Sequence, residues 1–347
     1  MKIAIHHRSN SFSAAWADAC IAAGVEHVPV DAYRSDLVAH LRAIGADGFM
    51  WPWHQTNLAD QLFARQLTLA LDAGGIPMFP DVPTAWHFDD KLGQKYLLEA
   101  IGVPFVQTDA FYDADAARTW LDTATFPLVH KLRGGAGSQS VQLVRDRGHA
   151  DAIVRRAFGR GFPAVDPYAI AREAVWTFRR DRTLKSTLRV PYAYARALAG
   201  VRPSKARLRP PERGYVYFQR FVPGNDYDDR FVVIGERCFC VRRRVREGDF
   251  RASGSGRTSY DPEQFPRVSV ALAFDVAERL RSQSLALDVV YEEGRPLCVE
   301  LSYAFPIGPF LERAGGYFDR DHAWHATDRP PPEFMVDDFV ASLRHRP

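Results

Sequence analysis

Apolar and polar positions along the first part of the chain fall into short runs alternating with helix-period stretches. Residues 3–6 read as a strand, and Ser13, an N-cap type of residue, opens a helix through Ala22 with Gly24 just past its end. Residues 28–30 and 48–51 read as further strands and 37–44 as a helix. A helix follows over 58–73, with Leu62, Leu69 and Ala73 available to one apolar face, and 76–79 closes the set as a strand. Alternation of this kind predicts a parallel sheet covered by helices. No G-x-G-x-x-G follows the first strand, so dinucleotide binding there has little support.

Pro80 and Pro83 punctuate the end of this small Rossmann-like unit. A helix is expected over 89–101, stopped by Gly102 with Pro104 beyond it. Two strands, 126–131 and 140–144, flank the segment Arg133-Gly134-Gly135-Ala136-Gly137-Ser138-Gln139. From 159 to 214 the character turns basic and aromatic. Strands at 215–221, 230–234 and 238–244 follow, then a helix over 269–282 and a hairpin of 286–291 with 296–302.

Composition narrows the class. The chain has 347 residues, 46% hydrophobic and 25% charged, with a net charge of +3. That profile suits a globular enzyme of two or three domains and gives no argument for nucleic acid. Cys20, Cys238, Cys240 and Cys298 form no C-x-x-C pair, so neither a zinc ribbon nor a dense disulfide framework is expected. Cys238 and Cys240 point to one face of a strand, as buried small hydrophobes do. The start lacks a long apolar region and no run is long enough to span a membrane, so a cytoplasmic protein is expected.

Three constellations carry chemistry. A strand ending in Lys131 runs into the small-residue loop of Gly134, Gly135, Gly137 and Ser138, which can wrap backbone N–H groups around phosphate; the alternative is an ordinary glycine-rich turn. In the last hairpin, a loop centred on Gly294 places Asp288 opposite Glu300, with Cβ atoms about 4.5–5.5 Å apart, and Ser302 on the same face. Like charges so placed need neutralising, and two carboxylates plus a hydroxyl suit Mg²⁺ shared with substrate phosphates, unless one carboxylate points to solvent. The third is Arg242-Arg243-Arg244 running into Asp249-Phe250-Arg251-Ala252-Ser253, suited to phosphoryl groups or else a solvated basic strand edge.

Lys91, Lys131, Gln219-Arg220-Phe221-Val222, Asp228-Asp229-Arg230, Asp249 to Ser253, Asp288 and Glu300-Leu301-Ser302 occur in an order that resembles ATP-grasp ligases. The group containing ribosomal-protein glutamate ligases and D-alanine–D-alanine ligases is the nearest likeness, over about residues 85–312. The wording around 214–219 and 250–256 is also similar to uncharacterised ATP-grasp proteins of surface-polysaccharide clusters. The resemblance implies an α/β chain with a Rossmann-like pre-ATP-grasp domain (1–84) before a two-lobed α+β ATP-grasp domain. Its first lobe would cover 85–214, with a basic insert at 159–214, its second lobe 215–312, and an extension 313–347.

The resemblance also implies ATP and Mg²⁺, with Mn²⁺ as an alternative ion. Lys91, Lys131, Gly135, Gly137 and Ser138 would meet nucleotide phosphates. Gln219, Arg220 and Phe221 would form the hinge that reads adenine, Asp228 would hold ribose, and Ser253 would face the γ-phosphate. Arg251 and Arg244 would be catalytic, and Asp288, Glu300 and Ser302 would bind the metal. Arg220 stands where the family has an acid, and Ser302 where it has asparagine. The implied reaction is carboxylate–amine ligation through an acyl phosphate; a hydroxyl kinase and a non-enzymatic ATP-binding module are the alternatives.

His6, His7 and Arg8 after the first strand, and Trp51-Pro52-Trp53-His54 after the third, sit where α/β sheets bind ligands and are expected on the acceptor side, unless they are packed core groups. Residues 159–214 hold thirteen Lys/Arg against Asp166, Glu173, Asp181 and Glu212, a local +9 in a chain whose remainder is −6. Tyr168, Ala171, Val175 and Phe178 are expected on one helix face there. The insert suits an anionic, saccharide-linked acceptor, the inner membrane surface, or a lid over the reaction. A homodimer is compatible with the sequence.

Overall fold

The computed structural model describes residues 1–135, 141–163, 167–199, 210–246, 249–252, 255–306, 308 and 314–345. Gly137, Ser138 and Ser253, and parts of the basic insert, lie outside the described residues. The chain divides into two compact units, Met1–Val106 with Val222–Pro347, and Gln107–Phe221.

The first unit begins with β1 (Lys2–Ile5), α1 (Ser13–Ala22), β2 (Glu26–Pro29), α2 (Leu37–Ala43), β3 (Gly48–Met50), α3 (Leu58–Ala73) and β4 (Met78–Phe79). Their parallel sheet has the order β2-β1-β3-β4. Asn57 starts α3, its side chain accepting the Ala59 N–H. The expected apolar face of α3 is displaced: Leu62 and Leu69 are exposed, and Asp60, Ala64, Thr68 and Leu71 are buried. The inward face was misread because its first member is an acid, which the folded chain satisfies with partners described below. Two helices complete this segment, α4 (Val82–Ala85) and α5 (Lys91–Ala100), the second capped by Asp90 accepting the Gly93 N–H at 3.0 Å.

The second unit holds β5 (Thr108–Phe111), α6 (Ala114–Leu121), β6 (Leu128–Lys131), β7 (Val141–Val144), α7 (Arg147–Phe158), α8 (Pro167–Asp181), α9 (Leu184–Leu198) and β8 (Val216–Arg220). Its antiparallel sheet runs β5-β8-β6-β7, with α6 and α7 covering a core of Leu121, Leu128, Ile153, Val154, Val216 and Phe218. Helices α8 and α9 pack on each other through Ala171, Ala174 and Ala193. Of the residues expected on one face of α8, Ala171 joins this seam while Tyr168 and Phe178 are exposed. Small residues let two helix backbones approach, and larger rings are left outside.

Chain order then returns to the first unit with β9 (Tyr227–Ile234), β10 (Arg237–Arg244), β11 (Thr258–Ser259), α10 (Arg267–Leu280), β12 (Leu285–Glu292), β13 (Arg295–Ser302), β14 (Gly316–Phe318), β15 (Trp324–Ala326) and α11 (Pro331–Arg344). The sheet order is β13-β12-β9-β10-β14-β15, with β11 on β10. One face packs under α10 through Phe231, Cys240, Leu287 and Leu301. Cys238 and Cys240 are buried there with sulfurs 3.9 Å apart. The other face contributes Val232, Phe239, Val241 and Ala286 to a core shared with Ile3, Trp16, Phe49 and Trp51.

Helix α11 closes that core with Met335, Val336 and Phe339. A Cβ on Gly48 of β3 would lie 2.7 Å from the Phe339 ring, so glycine is what admits the ring against the strand. Phe339→Ala is expected to lower the stability of the first unit by about 3–5 kcal/mol, read from urea unfolding, because a buried ring is replaced by a cavity.

Candidate active site

The β12–β13 hairpin turns through Glu293 (φ 50°) and Gly294 (φ 77°), the two-residue geometry with both central φ positive. Glu292 faces Arg295 and Val289 faces Cys298, but Asp288 faces Glu300, so Val299 is an extra residue in the ladder. This bulge sets the two acids opposite each other. The next strand places Arg230 opposite Asp288, giving a row of Glu300, Asp288 and Arg230 across three strands. On the following pair Asp228 faces Arg243.

The charges of the row are paired with one another. Arg230 holds Asp288 through both oxygens, at 2.6 and 2.9 Å. Arg243 grips Asp228 at 2.6 and 2.7 Å and reaches Asp288 at 2.8 Å. Burial pushes the Asp288 carboxyl upward, but the Arg230 and Arg243 guanidiniums overcome it and hold the group well below the usual carboxylate range. At Asp228 burial wins over Arg243, helped by the neighbouring Asp288 charge, and the carboxyl is raised. Glu300, 34% exposed, is paired with Lys91 Nζ at 3.0 Å, and Lys91, the first residue of α5, is itself 3% exposed. Ser302 donates to the Ala304 carbonyl at 2.6 Å and accepts its N–H at 3.1 Å, so its hydroxyl serves a local turn.

These groups fit a divalent ion in kind. Two carboxylates directly opposed on a rigid sheet, one partly open to solvent, supply the hard oxygens that Mg²⁺ shares with phosphates. Among the described residues no group of three or more His, Cys, Asp or Glu side chains is placed to hold a metal alone.

Arg242 belongs elsewhere: on the opposite face it binds Asp229 at 2.8 Å through two nitrogens, and Tyr291 donates to the same carboxylate at 2.6 Å. β10 is interior to the sheet, so the alternative of a solvated basic edge does not hold, and its Arg242 and Arg243 are buried ion-pair partners. Arg244 is paired with Asp226 at the surface. Arg251 binds Asp249 at 2.8 Å, and although burial alone would raise this acid, the guanidinium holds it below its ordinary value.

In the second unit, Lys131 is buried on β6 opposite Val141, and Gly135 has φ 115°. Glu212, unremarked in the sequence apart from its charge, accepts the Arg133 N–H at 2.9 Å and the Gly134 N–H at 3.3 Å. The N–H groups entering the glycine segment thus already face a carboxylate. Gln219 is buried and donates to Thr108 at 3.1 Å, and the Arg220 N–H bonds the Gln107 carbonyl at 2.9 Å. Phe221 is the last residue of this unit.

A second polar cluster lies in the first unit at the C-terminal ends of β1 and β3, where the strand order changes direction. Arg8 donates to Tyr33 at 2.8 Å and to Asp60 at 2.5 Å. Tyr33 donates to Asp60 at 2.6 Å and the His54 N–H to Asp60 at 2.7 Å. Every side-chain bond of Arg8 among the described residues leaves through Nη2. Burial lowers the pKa of His54, with the Arg8 charge adding to it. His6 is buried and accepts the Ala32 N–H at 3.0 Å, a packed group, whereas His7 is exposed beside Ser13. Tyr303, the residue after Ser302, donates to the Trp53 carbonyl, so the acidic strand leads directly into this cluster. Asp60 escaped notice; its signal was an acid in phase with Ala64, Thr68 and Leu71.

Arg230→Met is expected to destabilise the first unit by about 3–5 kcal/mol at neutral pH, measured by urea unfolding, because it leaves a buried carboxylate short of charge. Asp288 has a depressed folded pKa, so its pairing contributes above the ordinary carboxylate range and is lost as pH falls through the folded value. The deficit of the variant should therefore narrow in acid.

No family model matches the chain. It is 30% identical over 154 residues to the phosphoribosylamine–glycine ligase of Phenylobacterium zucineum (strain HLK1), a stretch of 44% of this chain and about a third, 33%, of that protein's length. Among solved structures it is similar to the RimK domain ATP-grasp protein from Sphaerobacter thermophilus, with TM-score 0.56 and 17% identity over 98% of this chain and 100% of that one. It is similar too to D-alanine–D-alanine ligase from Bacillus anthracis complexed with ATP, with TM-score 0.59 and 13% identity over 99% and 98%. Sheet orders, the paired acids late in the chain and these likenesses agree: the chain has the fold of the ATP-grasp ligases.

Proposed function

We propose that the chain is an ATP-dependent ligase that joins a carboxylate to an amine through an acyl phosphate. The observation that carries this reading is the row of Glu300, Asp288 and Arg230, backed by Arg243 and Lys91, on an ATP-grasp fold. A substrate carboxylate oxygen attacks the γ-phosphorus of ATP, the bond to ADP breaks, and ADP leaves. The amine nitrogen then attacks the acyl carbon, phosphate leaves with the C–O bond electrons, and the amine proton passes to solvent.

The protein's part is positioning and charge. Asp288 and Glu300 would hold Mg²⁺, or Mn²⁺ in its place, and the ion supplies charge neutralisation on the phosphates. Lys91 and Lys131 would bind phosphate oxygens, and Gly135 leaves room for the backbone to approach them. Arg251 and Arg244, each now held by a nearby acid, would release to the transferring phosphoryl group. Gln219, Arg220 and Phe221 would hold the adenine, with Asp228 toward the ribose. Arg8 is set to take the acyl substrate: Asp60 and Tyr33 fix one terminal nitrogen, and the other edge of the guanidinium matches a carboxylate.

The test is phosphate release with Mg²⁺-ATP across a matrix of amino acids, uronic acids and amines, followed by product mass. An amide with free phosphate is expected; a stable phosphoester, or nucleotide binding without turnover on any pair, overturns the reading. Glu300→Ala should lower turnover about 100-fold or more with the fold retained by circular dichroism. Arg8→Gln should raise KM for the acid about tenfold while leaving nucleotide affinity unchanged.

A further inference from the structure

Helix α9 divides its circumference three ways. Val190, Ala193 and Ala197 face inward, packed against or near Ala171 and Ala174 of α8. Leu184, Leu188, Tyr192 and Leu198 are 77%, 63%, 60% and 76% exposed. Together with Pro191 and Ala195, also exposed, they recur at intervals of three and four, which makes one continuous outward stripe. Lys185, Arg189 and Arg196 stand along one border of that stripe. Among the described residues neither Lys185 nor Arg189 has an acidic partner, and Arg196 lies over the Tyr192 ring and donates to its hydroxyl at 2.8 Å.

Exposed leucines scattered singly need no explanation, but a solvent-facing row of them along a helix does. The helix seam is already satisfied, so the stripe adds nothing to the packing of α8 on α9. Its chemistry is specific: apolar side chains on the outermost line, a tyrosine at its margin, and cations beside it, on an insert of local charge +9. A helix of this kind lies in the interface plane of a bilayer, with leucines among the acyl chains, tyrosine at the headgroups and lysine and arginine against acidic lipid. At 15 residues α9 is about 22 Å long, and no described helix is long and apolar enough to cross a membrane, so the contact is parallel to the surface.

We propose that the outward face of α9 docks the protein on an anionic lipid surface, lying parallel to it. The inference is independent of the ligase reading, since it concerns a helix outside every group assigned to the reaction. Apolar burial and charge each supply part of the affinity, which separates this occupant from a soluble polyanion, for which the leucines would be idle.

Co-sedimentation of the full chain with phosphatidylcholine vesicles, with and without phosphatidylglycerol, tests it. Binding is expected only with the anionic lipid, weakening with salt. It should fall about tenfold or more in Leu184→Ser/Leu188→Ser and, independently, in Lys185→Glu/Arg189→Glu. All four positions are exposed, so each variant should keep the wild-type far-ultraviolet spectrum and melting temperature. Failure of the wild type to bind anionic vesicles overturns the proposal. So does binding insensitive to the leucine pair but competed by heparin, which marks a polyanion site. Self-association of the wild type, lost in the leucine variant without any lipid binding, places a second copy on the stripe and equally overturns it.

Discussion

A single guanidinium, Arg243, bridges two carboxylates, the buried Asp288 and the half-buried Asp228, and the β13-β12-β9-β10 sheet is organised around it. Asp228 and Asp288 sit on adjacent strands of one sheet face, where two uncompensated negative charges would cost several kcal/mol each. Arg243 pairs with both, and Arg230, two residues after Asp228 on β9, completes Asp288. The two acids consequently respond in opposite directions, Asp228 raised and Asp288 depressed, although they share a cation. Strand order β12-β9-β10 and the pairing register are what bring the partners together, so the electrostatics and the topology specify each other.

The same sheet carries a second ion pair, and the contrast between the two faces is instructive. Asp229 is wholly buried; Arg242 and the Tyr291 hydroxyl saturate it, and Arg242 stacks 3.7 Å from the Tyr227 ring centroid. Burial first, and the Asp229 charge second, push the Tyr291 phenol up. Nothing there remains for a ligand. On the other face the row ends in Glu300, which is partly exposed and held by one lysine. A charged row that is tight at one end and open at the other can exchange the partner of Glu300 without losing the pairs that keep the sheet intact, which is what the proposed ligase chemistry would ask of it.

Sequence pattern was most legible where period and punctuation agreed. Residues 13–22 and 58–73 are helices with the expected bounds, but not for the expected reason at the first: Phe12 precedes α1 without any side-chain cap bond and Ser13 is its first helical residue, whereas Asn57, not singled out in the sequence, caps α3 through its side chain. The facing of Asp288 and Glu300 was also legible, although by a different route: the turn is Glu293-Gly294 rather than a loop centred on Gly294, and the Val299 bulge restores the pairing. A bulge inserts a residue without any composition signal. Helix α11 lies in the stretch read only as an extension over 313–347; Pro330, Pro331 and Pro332 at its start give no helix signal, although proline is tolerated in a first turn. Burial of Arg242 and Arg243 could not be read from an arginine run, since their acids lie on the neighbouring strand and only the fold joins them.

The first unit is assembled from both ends of the chain, and the second is an excursion between them. Sheet strands from the start, the Asp288 hairpin from much later, and Phe339 of α11 from later still meet in one core. During synthesis, residues 107–221 have all their own partners long before the earlier segment does. The opening strands must then wait, with Trp16, Phe49 and Trp51 uncovered, until α11 has left the ribosome. Until α11 is made, the apolar face that it covers stays open to solvent, which makes that interval the one in which the first unit most needs a chaperone.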